Sequence, residues 1–275
     1  MKRLAVGCAM WTHKAWEAHI VGQSSERLRG YAQWCTAVEG NTTFYATPGR
    51  ETVTSWAAQT PPGFRFVLKI PKTVTHGHRL AGGFEEFQRF LYAVEPLRTR
   101  IHALWIQLPG SFGPDEMPAL AKFFERTPAD HRYAVEVRHR GFFEHPGRLE
   151  EVLEAAGAEW VPFDTTSFFT TPPTSEAERE AWAKKPRMPL RTKALTDHPI
   201  IRYLGRDDPA RTVAGWQRWV GIAADWLNEG RSPTVFIHTP DNADAPALAR
   251  RFHDEVRARV PDLEPLPQPA PVALF

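Results

Sequence analysis

The sequence predicts an α/β protein built as a single (β/α)8 barrel of the TIM type, with an irregular stretch between strands six and seven. Three observations support this prediction. Short runs of alternating apolar and polar residues recur along the chain, with room for a helix between consecutive runs. About eight such units fit into 275 residues, an ordinary length for one barrel. Most runs also place a polar or charged residue of the same parity near the C-terminal end, as strands around a shared interior would.

The predicted strands rest on apolar and polar residues that alternate with period two. The strongest example is the run 132–139, in which Val135 and Val137 alternate with Glu136 and Arg138. A β-strand sends the two valines to one face, and the carboxylate and the guanidinium to the other. In chain order, the eight predicted strands are 4–8, 37–41, 64–70, 102–108, 132–139, 160–164, 200–204 and 234–239.

Helices are predicted between these strands from apolar stripes and from capping residues. Phe84, Phe87 and Leu91 lie on one stripe of the predicted helix 84–94, which indicates an amphipathic helix. Further helices are supported by Ser24 or Ser25 before 25–34, Gly157 after 149–155, Ser175 with Glu178 for 175–185, and Asp241 or Asn242 before a last helix to about 259. The remaining predicted helices are 52–59, 115–126 and 213–229.

The longest predicted connection is the segment 165–198, between strands six and seven. Beyond its short helix it forms a basic loop that contains Lys184, Lys185, Arg187, Arg191 and Lys193. Long connections in compact domains are often lids or binding loops, so this segment is the predicted cover of the site. The barrel domain is predicted to span 1–260, and the Pro-rich tail 261–275 to be extended or disordered.

Composition limits the class of protein. The 34 Lys and Arg residues against 32 Asp and Glu residues give a net charge of +2, which does not by itself call for nucleic acid. Trp11 and His13 interrupt the first apolar run, so neither a signal peptide nor a spanning helix fits, and we predict a cytoplasmic protein without membrane association. Cys8 and Cys35 lack metal-ligand spacing and are predicted to be reduced core thiols.

Strand parity selects a set of inward-facing polar residues near the strand ends. They are Glu39, Asn41, Lys69, Gln107, Glu136, Arg138, Asp164, Arg202 and His238. Barrels of this type bind ligands at the C-terminal mouth, so these side chains are expected to surround one pocket. A balanced ion-pair network that only fills the interior is the alternative. Burial of charge is costly, however, and this favours a functional explanation for the set.

The residue types indicate their chemistry. Arginine and lysine suit phosphate, carboxylate or sulfate oxygens, and carboxylates serve as general acids or bases once their surroundings separate their pKa values. The predicted catalytic residues are Glu39, Lys69, Glu136, Asp164 and His238. The predicted substrate-binding residues are Trp11, Asn41, Phe44, Tyr45, His76, Gln107, Arg138, His139 and Arg202. The alternative for the aromatic residues is core packing, and the alternative for the histidines is structural hydrogen bonding.

No cofactor is predicted. Glu39, Glu136, Asp164 and His238 offer oxygen and imidazole ligands for a divalent metal, but the neighbouring cations oppose one. The run Ala81-Gly82-Gly83 does not match a nucleotide-binding motif. The serines lack the nucleophile-elbow pattern of a serine hydrolase.

Several motifs resemble the YecE-like family, also called domain of unknown function family 72. The longest is Val38-Glu39-Gly40-Asn41-Thr42-Thr43-Phe44-Tyr45. The others are Trp56, Pro61-x-x-Phe64-x-Phe66-x-x-Lys69, Thr75-His76, Gln107-Leu108-Pro109 and Glu136-x-Arg138-His139. Together they span most of the chain from Gly7 to Asp164, in the order that the family has.

The resemblance implies a TIM-type barrel in the neighbourhood of sugar-isomerase and endonuclease barrels, with no established activity. By the same resemblance, the recurrent polar positions of the family are Glu39, Asn41, Lys69, Gln107, Glu136, Arg138 and Asp164. The second half departs from the common pattern. Arg202-Tyr203-Leu204-Gly205 stands where many members have Arg-x-His-Gly, and His238-Thr239 stands where an Asn pair usually ends strand eight. A subfamily with its own substrate would explain this departure.

Three functional hypotheses follow. The leading one is an enzyme, a hydrolase or isomerase, that uses general acid–base chemistry on an anionic, phosphate-bearing substrate. The second is a nucleic-acid binding or processing protein, in which the basic loop follows a backbone and aromatic residues stack on bases. In that context the terminal run 272–275 faintly resembles peptides that bind sliding clamps, a weak contact. The third is a small-molecule binding scaffold without turnover.

Overall fold

Nine parallel strands form one sheet in the computed structural model, which describes residues 2–17, 20 and 26–269. The strands are β1 Ala5–Cys8, β2 Ala37–Gly40, β3 Arg65–Lys69, β4 Ile101–Gln107, β5 Tyr133–Glu136, β6 Glu159–Trp160, β7 Phe163–Asp164, β8 Ile200–Leu204 and β9 Thr234–His238. Their order across the sheet is β6-β5-β4-β3-β2-β1-β9-β8-β7. The α/β class predicted from the sequence is confirmed.

The closed eight-stranded TIM barrel predicted from the sequence is wrong. The sheet is an open, curled half-barrel, and β6 and β7 are its two edges, paired only with β5 and β8 respectively. The sixth predicted strand divides at Pro162, because proline has no N–H to donate to a neighbouring strand. On one side of the division the Val161 N–H donates to the Val135 carbonyl at 2.8 Å. On the other side the Pro162 carbonyl accepts from the Arg202 N–H at 3.1 Å.

Ten α-helices connect the strands in the described ranges 2–17, 20 and 26–269. They are α1 Arg27–Trp34, α2 Thr42–Tyr45, α3 Arg50–Gln59, α4 Phe84–Val94, α5 Met117–Phe124, α6 Pro146–Ala155, α7 Glu176–Lys184, α8 Pro209–Gly215, α9 Gln217–Asn228 and α10 Ala245–Arg259. Both predicted ends of α4 are confirmed. The helix predicted over 213–229 is instead two helices, α8 and α9, that meet at Trp216. The one-turn helix α2 was not predicted from the sequence.

The predicted caps have mixed outcomes. The Ser175 hydroxyl accepts from the Glu178 N–H at 3.0 Å, which confirms it as the N-cap of α7. Gly157, with φ of +60°, follows α6 as predicted. The prediction of Asp241 or Asn242 as the N-cap of α10 is wrong, because the N-cap is Asp244. Ser24 and Ser25 lie outside the described residues.

Two apolar layers surround the sheet. The larger lies between the outer face of the sheet and the helices, and includes Phe66, Leu104 and Val135. The smaller fills the inside of the curl, where Trp105 stacks on Phe236 with ring centroids 6.1 Å apart. The inner layer also contains Ala5, Ala37, Val67, Ala103, Ala134, Val161 and Ile200. It forms an apolar floor beneath the polar residues at the C-terminal ends of the strands.

The ends of the chain and the cysteines complete the fold. Lys2 forms a parallel bridge with Leu263, which is buried, and the proposed boundary at 260 stays a prediction. Cys8 and Cys35 are free and buried. Within the part of the chain that the structure describes, every helix is too short or too polar to cross a bilayer. The terminal run 272–275, with its predicted clamp contact, lies outside the described residues.

Candidate active site

Polar side chains from six strands meet inside the curl, above the apolar floor. They are Glu39 from β2, Lys69 from β3, Gln107 from β4, Glu136 from β5, Arg202 from β8 and His238 from β9. All six are buried, at most 5% exposed. With Arg138, two residues beyond β5, they form what we call the interior charge cluster. The structure therefore brings together seven of the nine side chains selected by strand parity.

Glu39 lies at the centre of the interior charge cluster. Its carboxylate forms an ion pair with Lys69 Nζ at 2.8 Å and accepts from Arg202 Nε at 3.1 Å. His238 Nε2 is 2.7 Å from the same carboxylate. Burial opposes ionisation of Glu39, but the charges of Arg202, Lys69 and His238 outweigh it and hold its pKa well below the usual value. Because Glu39 is thus ionised, His238 Nε2 is the donor in their contact.

Arg202 joins the two buried carboxylates. Besides its bond to Glu39, it donates from Nη1 to Glu136 Oε2 at 3.3 Å, and Glu136 Oε1 accepts from Arg138 Nε at 2.8 Å. Burial favours the neutral form of Glu136, but Arg138, Arg202 and Lys69 outweigh it and lower its pKa. The Arg202 guanidinium also lies 4.3 Å over the ring of Phe163. Both glutamates are therefore carboxylates at neutral pH.

Lys69 is the member of the cluster whose pKa lies nearest to neutrality. Its Nζ donates to Gln107 Oε1 at 2.9 Å and lies 4.9 Å over the Trp105 ring. Burial and the charge of Arg202 lower the pKa of Lys69 to about 8, against the opposing effect of Glu39. Burial likewise lowers the pKa of His238 to about 4, so its imidazole is neutral at pH 7. At pH 7 Lys69 is therefore protonated and can donate a proton, whereas the neutral imidazole of His238 can accept one.

The interior charge cluster has an excess of positive charge towards the mouth. Three cations, Lys69, Arg138 and Arg202, face two carboxylates, which gives +1 at pH 7 with His238 neutral. The Arg138 side chain is 25% exposed, so it is the part of the cluster that an incoming molecule can reach. An excess of charge at an accessible edge favours an anionic ligand.

Lys185 is a site residue that the sequence reasoning did not select. Burial and the charge of Arg202 lower its pKa, while Glu39 raises it, so its ammonium lies within electrostatic range of the cluster. Its loop is fixed near the end of β7, because the Thr165 hydroxyl donates to the Pro186 carbonyl at 3.0 Å. The only signal in the sequence was the group of cations in this loop, which did not distinguish Lys185 from its neighbours.

Asp164 does not face the interior, and the parity argument placed it wrongly. Its carboxylate accepts from Trp219 Nε1 of α9 at 2.7 Å, and from the Thr166 N–H at 2.8 Å. Trp160 packs in the outer layer and Val161 in the inner one, so Phe163 has the inward parity and Asp164 the outward parity. The four metal-ligand candidates Glu39, Glu136, Asp164 and His238 are therefore not brought together. Among the described residues, no group of three or more His, Cys, Asp and Glu side chains forms a metal site.

The remaining predicted binding residues lie around the mouth or outside it. Asn41 donates to the Ala9 carbonyl at 2.8 Å. Phe44 lies edge-to-face with His76 at 5.1 Å, and burial together with the charge of Arg138 lowers the pKa of His76. Tyr45 is 69% exposed. These positions make Phe44 and His76 neighbours of the cluster and leave Tyr45 on the surface.

Trp11 and His139 have structural partners. Trp11 packs edge-to-face on Trp56, with ring centroids 5.1 Å apart. His139 Nδ1 accepts from the Gly141 N–H at 3.1 Å, so it caps the short helix Arg140–Phe143. Their predicted roles in substrate binding stay predictions.

Most cations of the basic loop are occupied by partners within the protein. Arg206, which follows β8, is buried and donates from Nε to Glu178 at 2.8 Å and from Nη1 to the Thr171 carbonyl at 2.7 Å. Arg191 pairs with Glu150 at 2.8 Å. Both guanidiniums are therefore used in contacts that hold the fold.

A curled, all-parallel α/β sheet with a charged cluster at the C-terminal ends of its strands defines the class of this protein. Within this class, the chain belongs to the family described as "Protein of unknown function DUF72", whose model matches residues 5–271. The predicted family resemblance is thereby confirmed.

Known relatives agree with this assignment. The chain is 36% identical to the UPF0759 protein YecE of Escherichia coli (strain K12) over 265 residues, which cover 95% of this chain and 96% of that protein. A DUF72 family protein from Thermotoga maritima MSB8 has a similar structure, with a TM-score of 0.70, 21% identity, and coverage of 93% of this chain and 99% of the other. Another, from Enterococcus faecalis V583, gives a TM-score of 0.66 at 17% identity, with coverage of 95% and 98%. The two structures support the fold alone.

Proposed function

We propose that the protein is an enzyme that acts on an anionic substrate by general acid–base chemistry at the interior charge cluster. The observation that supports this is the buried set of paired carboxylates and cations with one positive charge in excess. A purely structural network would need no such excess, because each unpaired buried charge costs stability. A substrate oxyanion at the mouth would neutralise it.

The roles follow from exposure and pKa. Arg138, at the accessible edge, and Lys185, within electrostatic range of the cluster, bind the substrate anion, and the planar guanidinium of Arg138 can hold two oxygens. Lys69 is the general acid, because its pKa of about 8 leaves it protonated but ready to donate at neutral pH. Glu136 orients Arg138, and Glu39 orients the neutral imidazole of His238, which accepts a proton at Nδ1.

The substrate class that fits best is a phosphate ester or phosphorylated sugar, and the reaction a hydrolysis or an isomerisation. Phosphate oxygens match an edge composed of arginine and lysine, and both reactions use a positioned acid and base. The buried, reduced thiols Cys8 and Cys35 support the cytoplasm as the location of this activity.

The enzyme proposal is tested with Glu136→Gln. We expect this variant to keep its fold and to lose about 100-fold in turnover, because the neutral amide no longer orients Arg138 and Arg202. Wild type and variant are compared on a panel of phosphate monoesters, phosphodiesters and sugar phosphates. Glu180→Gln, which removes an exposed carboxylate 3.0 Å from Lys184, is the matched control and should change nothing.

Two results would count against the enzyme proposal. The first is a Glu136→Gln protein with wild-type turnover on a substrate that the wild type converts. The second is a wild type that converts no member of the panel but binds single-stranded DNA in a salt-dependent way. That result would favour a nucleic-acid binding protein, for which the exposed Tyr45 ring, with Lys72 Nζ 5.4 Å from its centroid, is the supporting observation. A co-purified ligand released unchanged would favour a scaffold without turnover.

The pH dependence of turnover tests the role of Lys69. Because Lys69 acts as an acid with a pKa of about 8 and His238 as a base with a pKa of about 4, kcat/KM should be constant between these values and fall about tenfold per unit above pH 8. Gln107→Leu removes an acceptor of the protonated ammonium, so it should move this limb to lower pH. The profiles are measured on the substrate that the panel identifies. A rate that rises above pH 8, or a limb that Gln107→Leu leaves in place, would assign the proton transfer to another group.

A further inference from the structure

A second cavity lies at the opposite end of the sheet, at the N-terminal ends of the strands. Its volume is about 340 Å³, which is within the range of small-molecule sites. It is separated from the interior charge cluster by the apolar floor of Trp105 and Phe236. The polar residues that line it are His102, Arg132, Glu159, Thr196, Asp197 and His198. It is therefore a distinct polar cavity.

Two imidazoles in this cavity have buried nitrogen atoms without partners. The His102 side chain is 6% exposed, and its Nε2 makes no hydrogen bond to the described part of the protein. His198 Nδ1 is likewise buried and unpartnered in the same set of residues. The two rings are edge-to-face with centroids 5.5 Å apart. A buried polar atom without a partner lowers stability, so each nitrogen is a position where a ligand atom would be stabilised.

The cavity adjoins cations that have no carboxylate partner among residues 2–17, 20 and 26–269. Arg65 is buried, and it donates to the Pro233 carbonyl at 3.2 Å and the Thr234 hydroxyl at 2.8 Å, both neutral acceptors. Burial, followed by the charges of Arg3 and Arg132, lowers the pKa of Arg65 to about 9. The same arginines and His198 act with burial to hold the pKa of His102 well below its usual value. Three arginines therefore act electrostatically on this end of the sheet.

The acidic residues of the cavity, Glu159 and Asp197, form no ion pair with these arginines. Both carboxylate oxygens of Glu159 accept hydrogen bonds from the backbone of the segment that follows α7. The donors are the Thr196 N–H at 3.0 Å and the Leu195 N–H at 3.1 Å. Burial raises the pKa of Glu159 in spite of these bonds. Asp197 is exposed, and its charge only partly offsets the effect of burial, Arg132 and Arg65 on His198. Arg3, Arg65 and Arg132 all act on His102, and the carboxyl groups that line the cavity are Glu159 and Asp197.

We propose that this cavity is a second, proton-linked anion site that takes a phosphate group, either free or carried on a small molecule. Arg132 binds the phosphate oxygens, and His102 and His198 bind them through protons that they take up on binding. The proposal does not depend on the enzymatic function at the other end of the sheet.

The test is a titration of the full chain with inorganic phosphate, followed by NMR of the ¹⁵N-labelled imidazoles at pH 6 and pH 8. We expect the signals of His102 and His198 to shift to their protonated positions, with phosphate bound about tenfold more tightly at pH 6. Arg132→Met should weaken this binding about tenfold, because a charge-assisted contact is lost. Arg132 is exposed, so the variant is expected to fold.

Arg138→Met is the control at the opposite end of the sheet, and it should leave the imidazole shifts unchanged. If it abolishes them, the phosphate that matters is bound at the mouth and the second site is overturned. No shift at millimolar phosphate, or a shift with zinc chloride alone, also overturns it. A parallel titration with glycerol phosphate identifies the source: tighter binding than inorganic phosphate supports an esterified ligand, and equal binding supports the free ion. The failure of the enzyme panel has no bearing on any of these outcomes.

Discussion

Replacement of Arg202 by methionine should lower the free energy of unfolding by about 3–5 kcal/mol, because it leaves two buried carboxylates without a shared cation. Arg202 bonds to Glu39 at 3.1 Å and to Glu136 at 3.3 Å, and neither carboxylate is exposed. Methionine fills a similar volume and retains contact with the ring of Phe163, so the loss reports the charge and not a cavity. Urea denaturation at pH 7 measures the change.

Two further variants make the Arg202 result specific. Arg211→Met removes an arginine that is 51% exposed and 3.9 Å from Asp208, so its effect should stay below about 0.5 kcal/mol. Adding Glu136→Gln to Arg202→Met should restore part of the stability, because an amide costs less to bury than a carboxylate. An Arg202→Met protein within about 1 kcal/mol of wild type would mean that water or rearranged neighbours replace the guanidinium.

The alternation of strands and helices was visible in the sequence because it depends on local patterns. Helix α4 has an apolar stripe with Gly83 in the left-handed region at its start, and its ends agree with the prediction. The predicted helix 213–229 divides at Trp216, next to Gly215. Gly215 is packed so closely that an added Cβ would lie 2.3 Å from the Tyr203 hydroxyl. Tertiary approach of this kind is not a local property, so the pattern alone could not identify it.

The interior charge cluster was predictable where strands are regular and not where they break. Alternation gives the correct face for Glu39, Lys69 and Arg202, because each lies in a continuous strand. It fails for Asp164, because every residue from Trp160 to Phe163, around the break at Pro162, is apolar and the alternation does not identify a face. The roles of cations in the long segment depend on which acid each one meets after folding. Lys185 and Arg206 could therefore not be told apart by sequence.

Replacement of Arg206 by methionine should destabilise the protein by about 3–5 kcal/mol and loosen the segment before α8. Arg206 holds both oxygens of the buried Glu178, at 2.8 and 2.7 Å. Its Nη2 also donates to the Pro172 carbonyl at 2.8 Å. Loss of the guanidinium leaves a carboxylate and several carbonyls unpaired away from water. Hydrogen exchange should therefore increase most in 168–185, and urea denaturation gives the total loss.

The loss in the free energy of unfolding caused by Arg206→Met, here called the deficit, should depend on pH. This dependence distinguishes the contribution of the ion pair from that of packing. Burial alone would raise the pKa of Glu178, but bonds from Arg206 and from the Thr174 and Asp207 N–H groups lower it to about 2. The contribution of the pair is therefore present above pH 4.5 and is lost as the pH falls towards 2. The deficit should shrink across this window, since an unpaired Glu178 accepts a proton more readily. Glu180→Gln on the same helix, with 64% of its side chain exposed, should show no such dependence. A deficit that is equal at pH 7 and pH 3 would assign the loss to packing of the arginine stem.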